Sequence, residues 1–312
     1  MVNLLLNENM KIYRRMRTWI LVGLMAAFVI LGNFVMWHEN KSAQGDGWRT
    51  ELMQEKERWT EQLKKSNLDE GLRTYYTERI PVIDYHLEHN IRSPQGTMWN
   101  GINESASLGI LITLLTIIIA GDIIAAEFST GTIKLLLIRP SSRIKILLSK
   151  YLAMLLFSMV LLLTLFVISF LLNGILFGFK YMDLPLLHFT GGQVVEQNMI
   201  LHLWKTYLLN GISTVMYITI AFMISSAFRS SAMAIGFSIG IVFAGNILLE
   251  ALQRYEWSKY LLFANTDLTQ YMEGRPFHDG MTLSFSIGVL AVYFLLFNLV
   301  SWLMFTRRDV AG

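Results

Sequence analysis

The sequence predicts an all-α integral membrane protein with six transmembrane helices, and three observations carry that prediction. Of the 312 residues, 54% are hydrophobic and only 16% charged, with a mean hydropathy of +0.45, a balance too apolar for an ordinary soluble domain. Six stretches, at 18–37, 105–126, 150–178, 204–228, 231–252 and 283–305, reach the roughly 20 apolar residues that a helix needs to cross hydrocarbon. Lys and Arg also gather at alternate ends of those stretches, as they do when short cytoplasmic loops carry the positive excess.

The composition excludes several chemistries. There is no Cys, so disulfides, thiolate metal sites and Cys nucleophiles are absent. A net charge of +3 offers nucleic acid little, and no nucleic-acid partner is expected.

Residues 1–37 form an N-terminal interfacial segment and the first span. TWILVGLMAAFVILGNFVMW follows Lys11, Arg14, Arg15 and Arg17, is long, and lacks a small-residue cleavage site, so it is expected to be an uncleaved signal anchor. Before it, the apolar MVNLLLNEN and the basic KIYRRMR suit a helix lying in the membrane interface with its bases toward anionic headgroups. The alternative is a frayed start that merely orients span one.

Orientation follows from the bases. The N-terminal cluster, Lys134, Arg139, Arg143, Lys145 and Lys150 after span two, Arg229 after span four, and Arg307 and Arg308 in the tail fall on one side. The 38–103 stretch has nine Lys and Arg against eleven Asp and Glu, which places it opposite. Both termini are therefore expected to be cytoplasmic, and 38–104 to be an extracellular helical insert.

Within that insert, Trp48, Leu52, Trp59 and Leu63 fall near one face of an amphipathic helix. A second helix should follow from Leu68, with Asn67 as a possible cap and Pro81 bending or ending it. The pair reads as a solvated cap between spans one and two, with a lid or receptor-like surface as the alternative. His86 and His89, with Glu88 or Asp84 nearby, have a spacing that a metal can bridge, but such pairs in charged helices are usually solvated, and no metal is expected.

Residues 105–312 carry spans two to six, interrupted by GDIIAAEFSTGTIKLLLIRPSSRIKILLSKY at 121–151. Asp122 and Glu127 fall near the interface, where carboxylates can be hydrated or paired with Arg and Lys. Ser129 or Thr130 is positioned to cap a short helix, TIKLLLIRP, that Pro140 ends, after which Ser141, Ser142 and Arg143 turn the chain back. A short amphipathic helix tethered at both ends to spans transmits a push, whereas a plain re-entrant turn absorbs it.

The run Asp122, Glu127, Gly131-Thr132, Leu135–Leu137, Pro140, Ser142-Arg143 and Lys150 resembles the pattern of ABC-2 type permeases, the membrane subunits of ABC transporters. The six spans, the polar insert after span one and the Arg308-Asp309 ending are similar to the bacitracin- and sodium-export branch. The resemblance implies a coupling helix at 128–142 that docks into a separate ATPase subunit, with Glu127, Gly131, Thr132, Arg139, Pro140 and Arg143 at or supporting the contact. These positions form a docking surface and are not catalytic. It also implies a second permease copy, identical or homologous, ATP and Mg bound by the partner ATPase and not by this chain, and a bacterial plasma membrane location.

No G-x-x-x-x-G-K-[ST], H-E-x-x-H, G-x-S-x-G or dinucleotide fingerprint occurs, so the chain is not expected to be an enzyme. Asn33, Asn173, Asn210, Asn246 and Asn298 fall in five spans and are expected to hydrogen-bond between helices, with a substrate path as the sharper reading. Ala232, Gly236, Gly240 and Ala244 recur every four residues in span five, followed by Asn246. This ridge permits close helix approach, within the chain or against a second copy. WSKYLLFANTDL, after Glu250, Arg254 and Glu256, reads as a short helix dipping back into the outer leaflet. The expected function is the permease of an exporter; an amphipathic peptide antibiotic, a lipid-like molecule, a drug or sodium suits a pathway dotted with Asn and Ser. The rivals are an ion-coupled carrier, which needs midplane charges and repeats, and a non-transporting scaffold or sensor.

Overall fold

The computed structural model describes residues 1–40, 47–65, 68, 70–132, 142–228, 230–272, 274 and 276–307. Each of the six apolar stretches is a helix long and apolar enough to span a membrane. In chain order the helices are α1 (Val2–Tyr13), α2 (Met16–Glu39), α3 (Trp48–Leu63), α4 (Glu70–Glu88), α5 (Met98–Ser107), α6 (Gly109–Ser129) and α7 (Arg143–Phe177). A hairpin of β1 (Pro185–Thr190) and β2 (Gln193–Asn198) comes next, then α8 (Met199–Ala227), α9 (Ser231–Leu252), the short α10 (Leu262–Thr266) and α11 (Leu283–Arg307). The spans are α2, α5 with α6, α7, α8, α9 and α11.

The chain divides into two compact units, one of Met1–Met25, Leu108–Thr164 and Tyr207–Gly312, the other of Ala26–Ser107 and Leu165–Thr206. In the second unit α3 and α4 pair through the stripe read in α3: Trp48, Leu52 and Ile83 form a buried core against which Trp59 and Leu87 pack. Lys56 and Asp84 add an ion pair between the two helices. Pro81 neither ends nor begins α4, which runs on to Glu88. Proline here deprives only the Thr77 carbonyl of its helical donor, and Thr77 is exposed, so water can replace that bond.

The hairpin corrects the all-α expectation. β1 and β2 pair antiparallel from Pro185 opposite Asn198 to Thr190 opposite Gln193. Gly191 and Gly192 sit between them at φ 61° and 82°. Both central residues of such a two-residue turn need positive φ, which glycine adopts freely. The Tyr85 hydroxyl donates to Glu196 Oε1 at 3.2 Å, fastening the hairpin to α4.

The same unit buries a polar cluster. Asn33 Nδ2 donates to Ser105 Oγ at 3.0 Å, and Asn173 Nδ2 donates to Asn33 Oδ1 at 2.7 Å. All three side chains are buried. These are the interhelical bonds expected of span asparagines, each contributing about 0.6 kcal/mol in comparable settings. Asn246 instead donates to Val242 O in its own helix, whereas Asn298 donates to Phe294 O and also meets the Tyr151 hydroxyl.

In the first unit, hydroxyl groups bond across the contacts where helices meet. Thr113 and Thr214 pair at 3.0 Å, and Tyr151 and Thr219 at 2.7 Å. Ser225 Oγ donates to Gly121 O at 2.8 Å and accepts from the Ala125 N–H at 3.1 Å, so α8 lies against the backbone of α6. The WSKYLLFANTDL segment forms a 3₁₀ turn (Glu256–Tyr260) and α10. Asn265, at its centre, donates to Lys259 O and Leu261 O and accepts from Ser286 Oγ of α11.

A Cβ on Gly101 would overlap the Asn173 amide. Gly101→Ala is therefore expected to destabilise the protein by about 1–3 kcal/mol, read as a lower melting temperature in detergent; an unchanged melting temperature would contradict the close packing.

Candidate functional site

Seven charged side chains converge where α1, α6 and α7 meet, and the local sequence explains why. α1 is apolar along Val2, Leu6 and Met10, which are exposed, while Glu8 and Ile12 on another face are buried. An acid on the buried face of an apolar helix needs cations, and two are supplied. Lys11, one turn on, contacts Glu8 Oε1 at 2.7 Å, and Lys150 of α7 contacts Glu8 Oε2 at 2.8 Å.

The same two lysines reach Glu127 near the end of α6. Lys150 Nζ lies 2.7 Å and Lys11 Nζ 3.0 Å from Glu127 Oε1. Glu8, Lys11, Glu127 and Lys150 thus close a neutral ring of two acids and two bases. Lys150 is 0% exposed, and its third proton points toward Ile123 O at 3.4 Å. Such a charge persists in a low-dielectric surrounding only when its partners are fully in place.

A second cluster lies one turn along. Arg15, in the elbow between α1 and α2, and Arg17, in the first turn of α2, both donate to Asp122 Oδ2, the Arg17 contact being 2.6 Å. Asp122 is also within hydrogen-bonding reach of Ser231 at the start of α9. The elbow is stiff because side chains beyond it satisfy the last carbonyls of α1: Thr18 Oγ1 donates to Ile12 O at 2.6 Å and Trp19 Nε1 to Tyr13 O at 2.8 Å. The Tyr13 ring packs edge-on against Phe157 of α7, centroids 5.8 Å apart.

Outside the spans, two groups report the field of the ring. Burial raises the Glu8 carboxyl, but Lys150 and Lys11 outweigh it and hold Glu8 below the ordinary carboxylate value. Burial lowers Lys11, but Glu8 and Glu127 outweigh it and hold its ammonium above the ordinary lysine value. Glu127 Oε2 has no hydrogen-bond partner among the described residues. Glu127 lines a cavity of about 10 Å³ together with Glu8, Lys11, Ile12, Arg15, Ile119 and Ile123, room for one water.

The residues singled out in the sequence fall as follows. Glu127 is buried inside the ring. Thr130 closes α6, its N–H bonded to Ala126 O at 2.9 Å, so it caps the end of this helix and not the start of another. Gly131, at φ 72°, follows as the left-handed residue that commonly stops a helix, and Thr132 is exposed beside it. Arg139 and Pro140, with most of the expected coupling helix at 128–142, lie outside the described residues. Ser142 accepts from the Lys145 N–H at 3.4 Å at the start of α7. Arg143 is exposed and donates to Thr306 O of α11 at 2.8 Å.

The α9 ridge faces outward. Ala232, Gly236, Gly240, Ala244 and Asn246 are exposed, whereas Ala234, Ser238, Val242 and Gly245 form the buried face. His86 bonds Ile91 O and His89 stacks on Tyr85; no group of three or more potential metal ligands occurs among the described residues. Sequence reasoning did not single out Glu8. Its signal was present: one acid in an otherwise uncharged apolar segment, Met1–Met10.

Two comparisons place the chain among known proteins. Residues 71–311 match the family described as "Protein of unknown function (DUF2705)". The chain belongs to this family. It is 42% identical to the uncharacterized protein YhcI of Bacillus subtilis (strain 168), in an alignment covering all of both chains. It is also 34% identical to the uncharacterized membrane protein YdbK of the same organism, over 67% of this chain and 82% of YdbK. Together with the six helices, that likeness identifies a multi-pass membrane protein.

Replacing Lys150 by Met should cost about 3–5 kcal/mol, the usual penalty for stranding a buried charge partner. Adding Glu8→Gln to Lys150→Met should then cost less than Glu8→Gln alone costs the parent. Thermal unfolding of the four proteins in one detergent checks this; additive losses would show that Glu8 and Lys150 do not interact.

Proposed function

We propose that this protein is the membrane-spanning permease subunit of an ATP-driven ABC-2 type exporter, paired with a second permease copy and with separate ATPase subunits in a bacterial plasma membrane. The observation that carries the reading is the way the 131–142 segment is held. It leaves α6 directly after a terminal turn braced by Glu127 and returns into α7, whose second turn brings Lys150 back to the same carboxylate. A partner pressing on so short a connection would displace the ends of two spans together, which is what coupling ATP binding to a membrane pathway requires.

Further support comes from the resemblance of Asp122, Glu127, Gly131-Thr132, Pro140, Ser142-Arg143 and Lys150 to ABC-2 permeases, and from the bases flanking the same ends of the spans. On this reading those ends face the cytoplasm, α3 and α4 lie outside, and Thr132, Arg139 and Arg143 meet the ATPase. Glu127 supports that contact from within. ATP and Mg would be bound by the partner, and closure of the ATPase pair would bias the spans toward outward access. The outward-facing Ala232, Gly236, Gly240 and Ala244 ridge would be available to the second permease.

Mild-detergent purification of the tagged chain from its own cell, with mass spectrometry of accompanying proteins, tests the proposal. A P-loop ATPase should accompany the parent and be depleted about tenfold, the equivalent of 1.4 kcal/mol, by Arg139→Ala combined with Thr132→Ala. Absence of any ATPase under several solubilisation conditions would overturn the permease reading in favour of a scaffold or a carrier.

A further inference from the structure

A groove opens in the second unit where the paired ends of β1 and β2 meet the first turn of α8. Its volume of about 350 Å³ falls at the lower end of the ~300–1,000 Å³ of small-molecule sites. Buried Leu184 and Met199 form an apolar floor, and exposed Met182 and Ile200 extend that surface outward. Asp183 and Glu196, both exposed, line it as well. Neither acid has an ion-pair partner among the described residues.

Each side of the groove is fastened separately. The Tyr85 hydroxyl of α4 holds Glu196. Asn198, opposite Pro185 in the hairpin, accepts from the Leu201 N–H at 3.0 Å and so caps α8. On the Asp183 side, Tyr181 adopts φ 64°, a conformation costly for a bulky residue. Its carbonyl accepts from Trp99 Nε1 at 2.8 Å and from the Leu184 N–H at 3.2 Å. The Arg92 guanidinium lies over its ring, 4.7 Å from the centroid. A ligand therefore meets a groove already formed, and binding spends little on ordering the protein.

Charge and shape together select the ligand. The N-terminus of α8 contributes about half a positive charge against two carboxylates, so the groove stays negative. An inorganic cation lacks ligands there, since no group of three or more potential metal ligands occurs among the described residues, and it gains nothing from an apolar floor. We propose that this groove binds a small organic cation with an apolar body: Asp183 and Glu196 take the ammonium, and Leu184 and Met199 carry the body. Binding there does not depend on the permease reading.

The full chain in a neutral maltoside detergent at low salt, titrated with benzyltrimethylammonium and followed by saturation-transfer NMR of the probe, should show one saturable site. Asp183→Asn with Glu196→Gln should weaken binding about tenfold, as loss of two exposed ion contacts does. Glu196→Gln keeps an oxygen for the Tyr85 hydroxyl, so the hairpin stays fastened. Glu57→Gln, which removes an exposed carboxylate of α3, should leave the affinity unchanged. Tetramethylammonium, with the same charge and no ring, should bind more weakly. Absence of a saturable site, or equal binding by the double variant, would overturn the proposal. Weakening by Glu57→Gln would also overturn it, because net charge and not the groove would then hold the probe. Equal affinity for tetramethylammonium would overturn the role of the apolar floor. None of these outcomes bears on the ATPase pull-down, which tests the permease reading separately.

Discussion

An ammonium sealed from water demands negative charge on more than one side, and Lys150 imposes that demand on the first unit of this protein. Two carboxylates answer it, one from the N-terminal helix and one from the end of α6, and Lys11 completes the neutrality. Desolvating such groups costs several kcal/mol per ion, so the arrangement is stable only as a set. From it follow the position of α1 and the tie between the ends of α6 and α7, while the Thr18 and Trp19 bonds stiffen the elbow into α2. Glu8 and Lys11 register the same field, the acid drawn down by its lysines and the base drawn up by its acids.

Elsewhere the spans are joined by a different economy. Hydrocarbon gives helices no hydrophobic reason to associate, so small residues and hydroxyls supply the contacts. Ser225 lies on the backbone of α6, Thr113 meets Thr214, and Tyr151 meets Thr219. In the other unit the Asn33, Ser105 and Asn173 cluster plays that part, with Gly101 leaving room for the Asn173 amide. The polar helices α3 and α4, which are not among the six spans, instead use a conventional apolar core of Trp48, Leu52 and Ile83.

Much of this was legible in the sequence because its physical basis is local. A run of about 20 apolar residues has one cheap fate in a bilayer, and all six spans form where the runs lie. The Trp48, Leu52 and Trp59 stripe foretold a helix with one packed face. The hairpin at 185–198 was not foreseen although its signals were present, β-branched and aromatic residues on either side of Gly191-Gly192. Pro81, expected to bend or end its helix, does not end it, since tolerance of a missing bond depends on whether the freed carbonyl meets water. The ring itself was only half visible. Glu127 and Lys150 stood out as charges beside spans, but their partner Glu8 lies more than a hundred residues away, and pairing across that distance is a property of the fold. The same holds for the bases around α1, which suit anionic headgroups in sequence: in the structure Lys11 meets Glu127, and Arg15 and Arg17 meet Asp122.

That last difference offers the most direct measurement. Hydrogen–deuterium exchange of α1 in nanodiscs of neutral lipid and of lipid rich in anionic headgroups distinguishes a strut from a surface helix. If the carboxylates of α6 hold α1, its amides will be equally protected in both lipids. Protection that appears only with anionic lipid would mean that headgroups hold the helix, and the account built on Lys150 would fail.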